Sequence, residues 1–167
     1  MIRFTNLRYV SASGTDAPVE LSHPDNPLTG ETARARAVSD ARNRAIVWEY
    51  AGTTHEFRPK YGWAALDPLT DLLVVVVGTS DLPSPDNAVV INPDGGVDHQ
   101  IKSPGVVELA EGGNPPERYP VEGMSDVYVD ENQQVVIGLN YCREWVERRL
   151  YDVAKREWGP RVVTYRK

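Results

Sequence analysis

The chain has 167 residues, with 13 prolines, 13 glycines, two methionines and a single cysteine. That length suits one domain with its own core, and one cysteine excludes an internal disulfide. The turn-rich composition argues against a helical bundle, and the net charge of −6 argues against holding a phosphate backbone.

The charge is unevenly placed. Residues 1–60 carry a net +1, residues 61–131 carry two basic and thirteen acidic side chains for a net −11, and residues 143–167 carry +4. An acidic middle of that size attracts basic partners. The plainer reading is a solvated surface that keeps the protein soluble. The longest apolar run, Leu72 to Val77, is too short for a membrane span and suits a buried strand. No charged-then-apolar leader follows Met1, so a cytoplasmic location without membrane contact is expected.

In chain order, Ile2 to Val10 alternates and reads as a strand that covers a sheet edge. Residues 11–32 read as loop, with His23-Pro-Asp25-Asn26 as a turn. The segment 31–45 has two readings. Ala33, Ala37, Ala41 and Ala45 fall at helical spacing, while the Ala-Arg alternation reads as strand, and the aspartate alignment that follows favours the strand.

Three segments then align on an aspartate. Asp40 precedes Ala45–Tyr50, Asp67 precedes Leu72–Val77, and Asp130 precedes Val135–Asn140. In each, four mostly polar residues separate the aspartate from a longer apolar run. An aspartate suits such a turn because its carboxylate accepts hydrogen bonds from the NH groups ahead of it. The β-branched run that follows supplies sheet. The last two copies continue into a further strand, turn and strand, and Asp94-Gly95-Gly96 is one such turn.

The expected fold is mainly β: an antiparallel meander of two to three units in one domain. It comprises an N-terminal strand and loop (1–32), units at about 33–60, 61–101 and 124–160, and an inserted loop at 102–123. The aspartate in the first turn and the closing hairpin of each unit resemble a β-propeller blade. Closed propellers need four to eight blades, so the resemblance implies an open assembly.

Catalytic signatures are missing. There is no phosphate-cradling glycine loop and no nucleophile elbow. His23, His55 and His99 lack metal-ligand spacing, so no metal and no cofactor is expected. His55-Glu56 and Asp98-His99 lie in strands, where neighbours point to opposite faces. Cys142 reads as a buried or half-buried structural thiol. The four tryptophans read as sheet-packing residues. Arg34, Arg36, Arg42 and Arg44 read as solvated.

In overall profile the chain is similar to bacterial toxin-immunity proteins, which are small, often acidic and without catalytic machinery. That similarity implies a cytoplasmic protein that neutralises a basic partner, a nuclease-type toxin domain, through complementary charge. The expected contacts are Glu108, Glu111, Glu117, Tyr119, Glu122, Asp126, Asp130 and Glu131. Two other readings stand beside it. One is a scaffold whose partial blades associate into a homo-oligomer. The other is an enzyme or small-ligand binder using His55, His99 or nearby acids.

Overall fold

The computed structural model describes residues 3–21, 33–109 and 117–167. Three antiparallel sheets fill it. The first is built from β1 (Thr5–Val10), β2 (Asp16–Pro18), β3 (Ala45–Tyr50) and β4 (Thr53–Phe57), in the order β2-β1-β3-β4. The second is a simple meander of β5 (Gly62–Asp67), β6 (Leu72–Val77), β7 (Ala88–Ile91) and β8 (Val97–Ile101). The third contains β9 (Val106–Leu109), β10 (Glu117–Val129), β11 (Val135–Tyr141), β12 (Trp145–Asp152) and β13 (Glu157–Arg166), in the order β13-β12-β11-β10-β9. Bulges in β10 and along β12–β13 bend this sheet into a half-barrel, and none of the three sheets closes. The expected open, mainly β meander is the observed fold.

The run Leu72–Val77 occupies the middle of the middle sheet. Leu73, Val75 and Val77 face the first sheet, where they meet Phe4, Tyr9, Ile46 and Trp48. Val74 and Val76 face the third sheet and pack with Val127, Ile137 and Leu139. Successive side chains point to opposite faces, so a strand buried on both sides has no polar position.

At all three aligned places the aspartate carboxylate accepts an NH ahead of it, and Asp40 Oδ1 takes that of Arg42 at 3.0 Å. Asp67 Oδ1 accepts the Leu69 NH at 3.3 Å, and Oδ2 accepts the Thr70 NH at 3.2 Å. Asp130 Oδ1 accepts the NH groups of Asn132 and Gln134, both at 2.9 Å. The Asp67 and Asp130 turns close through left-handed residues, Asp71 (φ 53°) and Gln133 (φ 62°). The Asp40 copy differs in what precedes it. The residues before it form a short helix, α1 (Ala33–Ala37), so the leaning towards strand is corrected. Alanine's helix preference and the burial of Ala35 and Val38 favour that outcome. The strands missing from this copy are supplied by β1 and β2, and β1 lies inside the sheet rather than at its edge.

The expected inserted loop at 102–123 is also corrected. It holds β9 and the start of β10, with Glu117, Arg118, Tyr119 and Pro120 paired to Leu109, Glu108, Val107 and Val106. Prolines in that stretch masked its strand character, and Pro120 is tolerated near the edge of the sheet.

Polar side chains fasten one sheet to the next where backbones cannot pair. Asn87 is buried between β6 and β10. Its amide donates to the carbonyls of Val77 (2.6 Å) and Met124 (2.8 Å), and its oxygen accepts the Met124 NH at 2.7 Å. The Trp48 indole donates to the Pro93 carbonyl, and the Trp158 indole to that of Lys102, both at 2.7 Å. Arg44, expected to be solvated, is 1% exposed. Its guanidinium donates to the carbonyls of Val38 and Gly62 and lies between the rings of Tyr9 (3.4 Å) and Trp63 (4.3 Å).

The two leucines of the β5–β6 hairpin separate packing from exposure. Leu73→Ala removes a fully buried side chain and lowers unfolding free energy by about 2–5 kcal/mol. Leu69→Ala, at a side chain 86% exposed, changes it by less than about 0.5 kcal/mol. Urea unfolding of the two variants, compared at equal slope, checks the contrast.

Candidate functional site

The acidic residues expected to meet a partner do not form one face. Glu108 pairs with Arg118 across β9 and β10 at 2.9 Å. Glu117 accepts the Tyr119 hydroxyl, and Tyr119 is half-buried with its ring 5.7 Å from that of Tyr141. Glu122 accepts the Arg143 NH at 3.1 Å. Asp126 holds Arg148 through two bonds of 3.0 and 3.1 Å. Gly138 leaves room for that pair, since a Cβ there would lie 2.4 Å from the Asp126 carboxylate. Asp130 caps its turn, Glu131 is exposed beside it, and Glu111 lies outside the described residues. From Glu117 to Asp130 the chain runs on the order of 40 Å along one strand. The acids at its two ends therefore serve different surroundings.

The remaining carboxylates of the middle segment are similarly engaged. Asp71 accepts the Arg3 NH at 2.6 Å, Asp81 accepts the Lys60 NH at 3.1 Å, and Asp94 accepts the Gly96 NH at 2.9 Å. Asp86 accepts the Ser103 NH at 2.8 Å, which holds its carboxyl below the usual range with help from Lys102.

Asp98 and His99 were expected to point to opposite faces. A register shift between Val90 and Ile91 brings them together instead. His99 Nδ1 lies 2.7 Å from Asp98 Oδ2, and its Nε2 lies 3.1 Å from the Tyr151 hydroxyl. Arg156 pairs with the same Asp98 oxygen at 3.3 Å. Both imidazole nitrogens are thus engaged, and the chain Asp98–His99–Tyr151 fastens the second sheet to the third. His55 stacks on Trp48 with centroids 5.7 Å apart, while Glu56 pairs with Arg58. His23 lies outside the described residues. Cys142 is exposed, against the expected burial. It follows the last residue of β11 in a turn where Cys142 and Arg143 both take positive φ. Among the described residues no group of three His, Cys, Asp or Glu side chains is placed to hold a metal.

A cleft that the sequence does not announce is the main concavity described among these residues. It lies where the β1–β2 hairpin approaches β5 and the end of β10, with a volume near 980 Å³. Phe4, Ala17, Val19 and Ala64 make a buried apolar floor. Two ion-paired groups border it. Arg3 pairs with Asp71 at 3.2 Å, and Asp16 is held by Arg34 and, at 3.7 Å, by Arg8. Leu69 and Asp130, from the Asp67 and Asp130 turns, both line the cleft, and Glu20 joins them from the turn after β2. Its volume is at the upper end for ligand pockets, and an apolar floor with few polar groups is their usual lining. The one sequence signal for it is Leu69, a large apolar residue at the tip of an otherwise polar turn.

No family model matches the sequence, and neither the curated proteins nor the solved structures provide a match.

Two phenols between the second and third sheets set an alkaline limit. Burial pushes the Tyr61 hydroxyl above the ordinary phenol range, although the Trp63 indole NH pulls it back. Burial raises Tyr151 as well, against the pull of Arg156. The unfolded chain ionises first, at about pH 10. The folded state then holds more protons, so stability is level below that pH and falls above it. Absorbance titration at 295 nm should show phenols that lag the rest until the chain unfolds. Tyr61→Phe and Tyr151→Phe together should shrink the lag to that of Tyr141, whose hydroxyl burial also raises.

Proposed function

We propose that this chain is a binding protein that acts by obstruction, docking a basic partner at the cleft where the three sheets converge. The observation that carries this reading is Leu69. It is 86% exposed and borders a cleft that has an apolar floor. A large apolar side chain beside an apolar floor adds to the area that a partner covers there. Asp130 lines the same rim, and Glu131 and Glu20 are exposed near it. On this reading the acidic contribution comes from one end of the expected set, Asp130 and Glu131. Glu108, Glu117 and Asp126 already have partners within the fold.

An immunity protein that blocks a nuclease-type toxin is the biological form that fits. Such a toxin is basic because it holds phosphates, and complementary charge speeds the encounter while the apolar anchor slows release. The three meander sheets resemble propeller blades.

A second reading has its own observation. β13 is a ten-residue edge strand with Val162 50% and Val163 44% exposed. An open edge of that length suits a homo-oligomeric scaffold. Sedimentation at micromolar concentration decides this: a defined oligomer supports the scaffold, and a monomer removes it.

The binding reading is tested by co-expression with the basic, growth-inhibiting product of a neighbouring gene. Rescue of growth with a co-purifying complex is expected. Leu69→Asp and the double change Glu20→Lys with Glu131→Lys should each weaken the complex at least about tenfold, or 1.4 kcal/mol. The double change should also flatten its salt dependence. Glu157→Lys, on β13, should leave both unchanged. Affinity and salt slope that survive both Leu69→Asp and the double change would remove the cleft as the docking site.

A further inference from the structure

We propose that the mouth of the third sheet's half-barrel is a binding site for a small oxyanion, held by Arg149 and Arg161 with the hydroxyls of Tyr141 and Thr164. The site is distinct from the cleft and lies between the two ends of the curled sheet.

Its basis is a count of charges and donors. Leu139, Glu147 and Thr164 are paired across β11, β12 and β13, and Ile137, Arg149 and Arg161 form the row beside them. Leu139 and Ile137 belong to the core between the second and third sheets, so these rows face inward. Glu147 is 1% exposed, a carboxylate inside the curl. It pairs with Arg149, and its other oxygen lies 3.9 Å from Arg161. Arg161 also donates to the Glu108 carbonyl at 3.3 Å, which joins β13 to β9 across the mouth. The cluster therefore holds two guanidiniums and one carboxylate, a net single positive charge.

Donors outnumber acceptors. Two guanidiniums present about ten N–H groups, and Glu147 and the Glu108 carbonyl offer three oxygens in return. Three donors, Arg149 Nε and the hydroxyls of Tyr141 and Thr164, and one acceptor, Glu147 Oε1, are buried without a hydrogen bond of good geometry, and the two hydroxyls lie close enough to interact with each other. Tyr141 is itself 1% exposed. Buried donors left unmade are costly, and a closed ion pair alone gives no reason for the extra cation. An oxyanion supplies both the missing acceptors and the missing charge, and a guanidinium presents paired N–H groups to it. Arg161 keeps 42% of its side chain in solvent, which provides a way in.

The alternative for the same residues is a purely structural ion triad that closes the curl. The two differ in sign for one variant. Glu147→Gln keeps the shape and removes the competing carboxylate. A binding site then holds its anion more tightly, by at least about tenfold, because two cations at short range face it unopposed. A structural triad only loses stability.

The test is calorimetric titration and thermal unfolding of the full chain with sodium phosphate, sodium sulfate and sodium succinate, at ionic strength fixed with chloride. The wild-type chain should bind at least one of them and unfold at higher temperature in its presence. A response to phosphate and sulfate assigns a tetrahedral oxyanion, and a response to succinate alone assigns a carboxylate. Glu147→Gln should tighten binding, Arg161→Gln should abolish it, and Tyr141→Phe should weaken it without loss of fold. Three results overturn the proposal: no binding to wild type or Glu147→Gln, binding that Arg161→Gln leaves intact, or an anion effect that chloride reproduces.

Discussion

A sheet buried on both faces is the constraint from which the rest of this protein follows. β6 carries Leu73, Val74, Val75, Val76 and Val77, each at 1% exposure or less. A strand of that kind cannot exist alone in water, because each face needs a cover. The first sheet covers one face and the half-barrel covers the other, and the two cores are lined by alternate residues of one strand. Sheets one and three therefore depend on sheet two more than on each other.

Stacked sheets leave a second problem at their margins. Backbone groups near a neighbouring sheet have no ladder partner, and burial without one is costly. Side chains with fixed polar geometry fill that role. Asn87 imitates a strand, offering both a donor and an acceptor to Met124. Tyr9 does the same for Ala64, accepting its NH at 2.6 Å and donating to its carbonyl at 3.2 Å. Arg44 meets carbonyls with its edge and aromatic rings with its faces, so carbonyls and rings hold a buried cation. These contacts set the angle between sheets, and the cleft is the gap that angle leaves between the β1–β2 hairpin and the turns at Asp67 and Asp130.

The acidic middle of the chain acquires a different meaning once the fold is known. Its carboxylates are the caps of a turn-rich structure, placed where backbone NH groups emerge from hairpins. Others answer cations from the chain's basic ends, as Asp71 answers Arg3 and Asp98 answers Arg156. Segregation of charge along the sequence is thereby partly offset in space.

What the sequence determined by itself was whatever depends on neighbouring residues. Strand against helix, the aspartate turns at Asp67 and Asp130, the buried run of β6 and the open meander all rest on local period and turn chemistry. The tertiary structure decided what depends on distant ones. It paired β1 inside the first sheet, drew β9 and β10 out of a proline-rich stretch, and turned Asp98 and His99 to one side through a bulge. It buried Arg44, exposed Cys142, and gathered Leu69, Glu20 and Asp130 around one cleft. It also joined Glu147, Arg149 and Arg161 inside one curl. Local preference is a matter of tenths of a kcal/mol per residue, whereas burial and the pairing of polar groups are worth about 1–3 kcal/mol each. Where the two compete, residues far apart in the chain decide the outcome, and no short stretch of sequence carries that information.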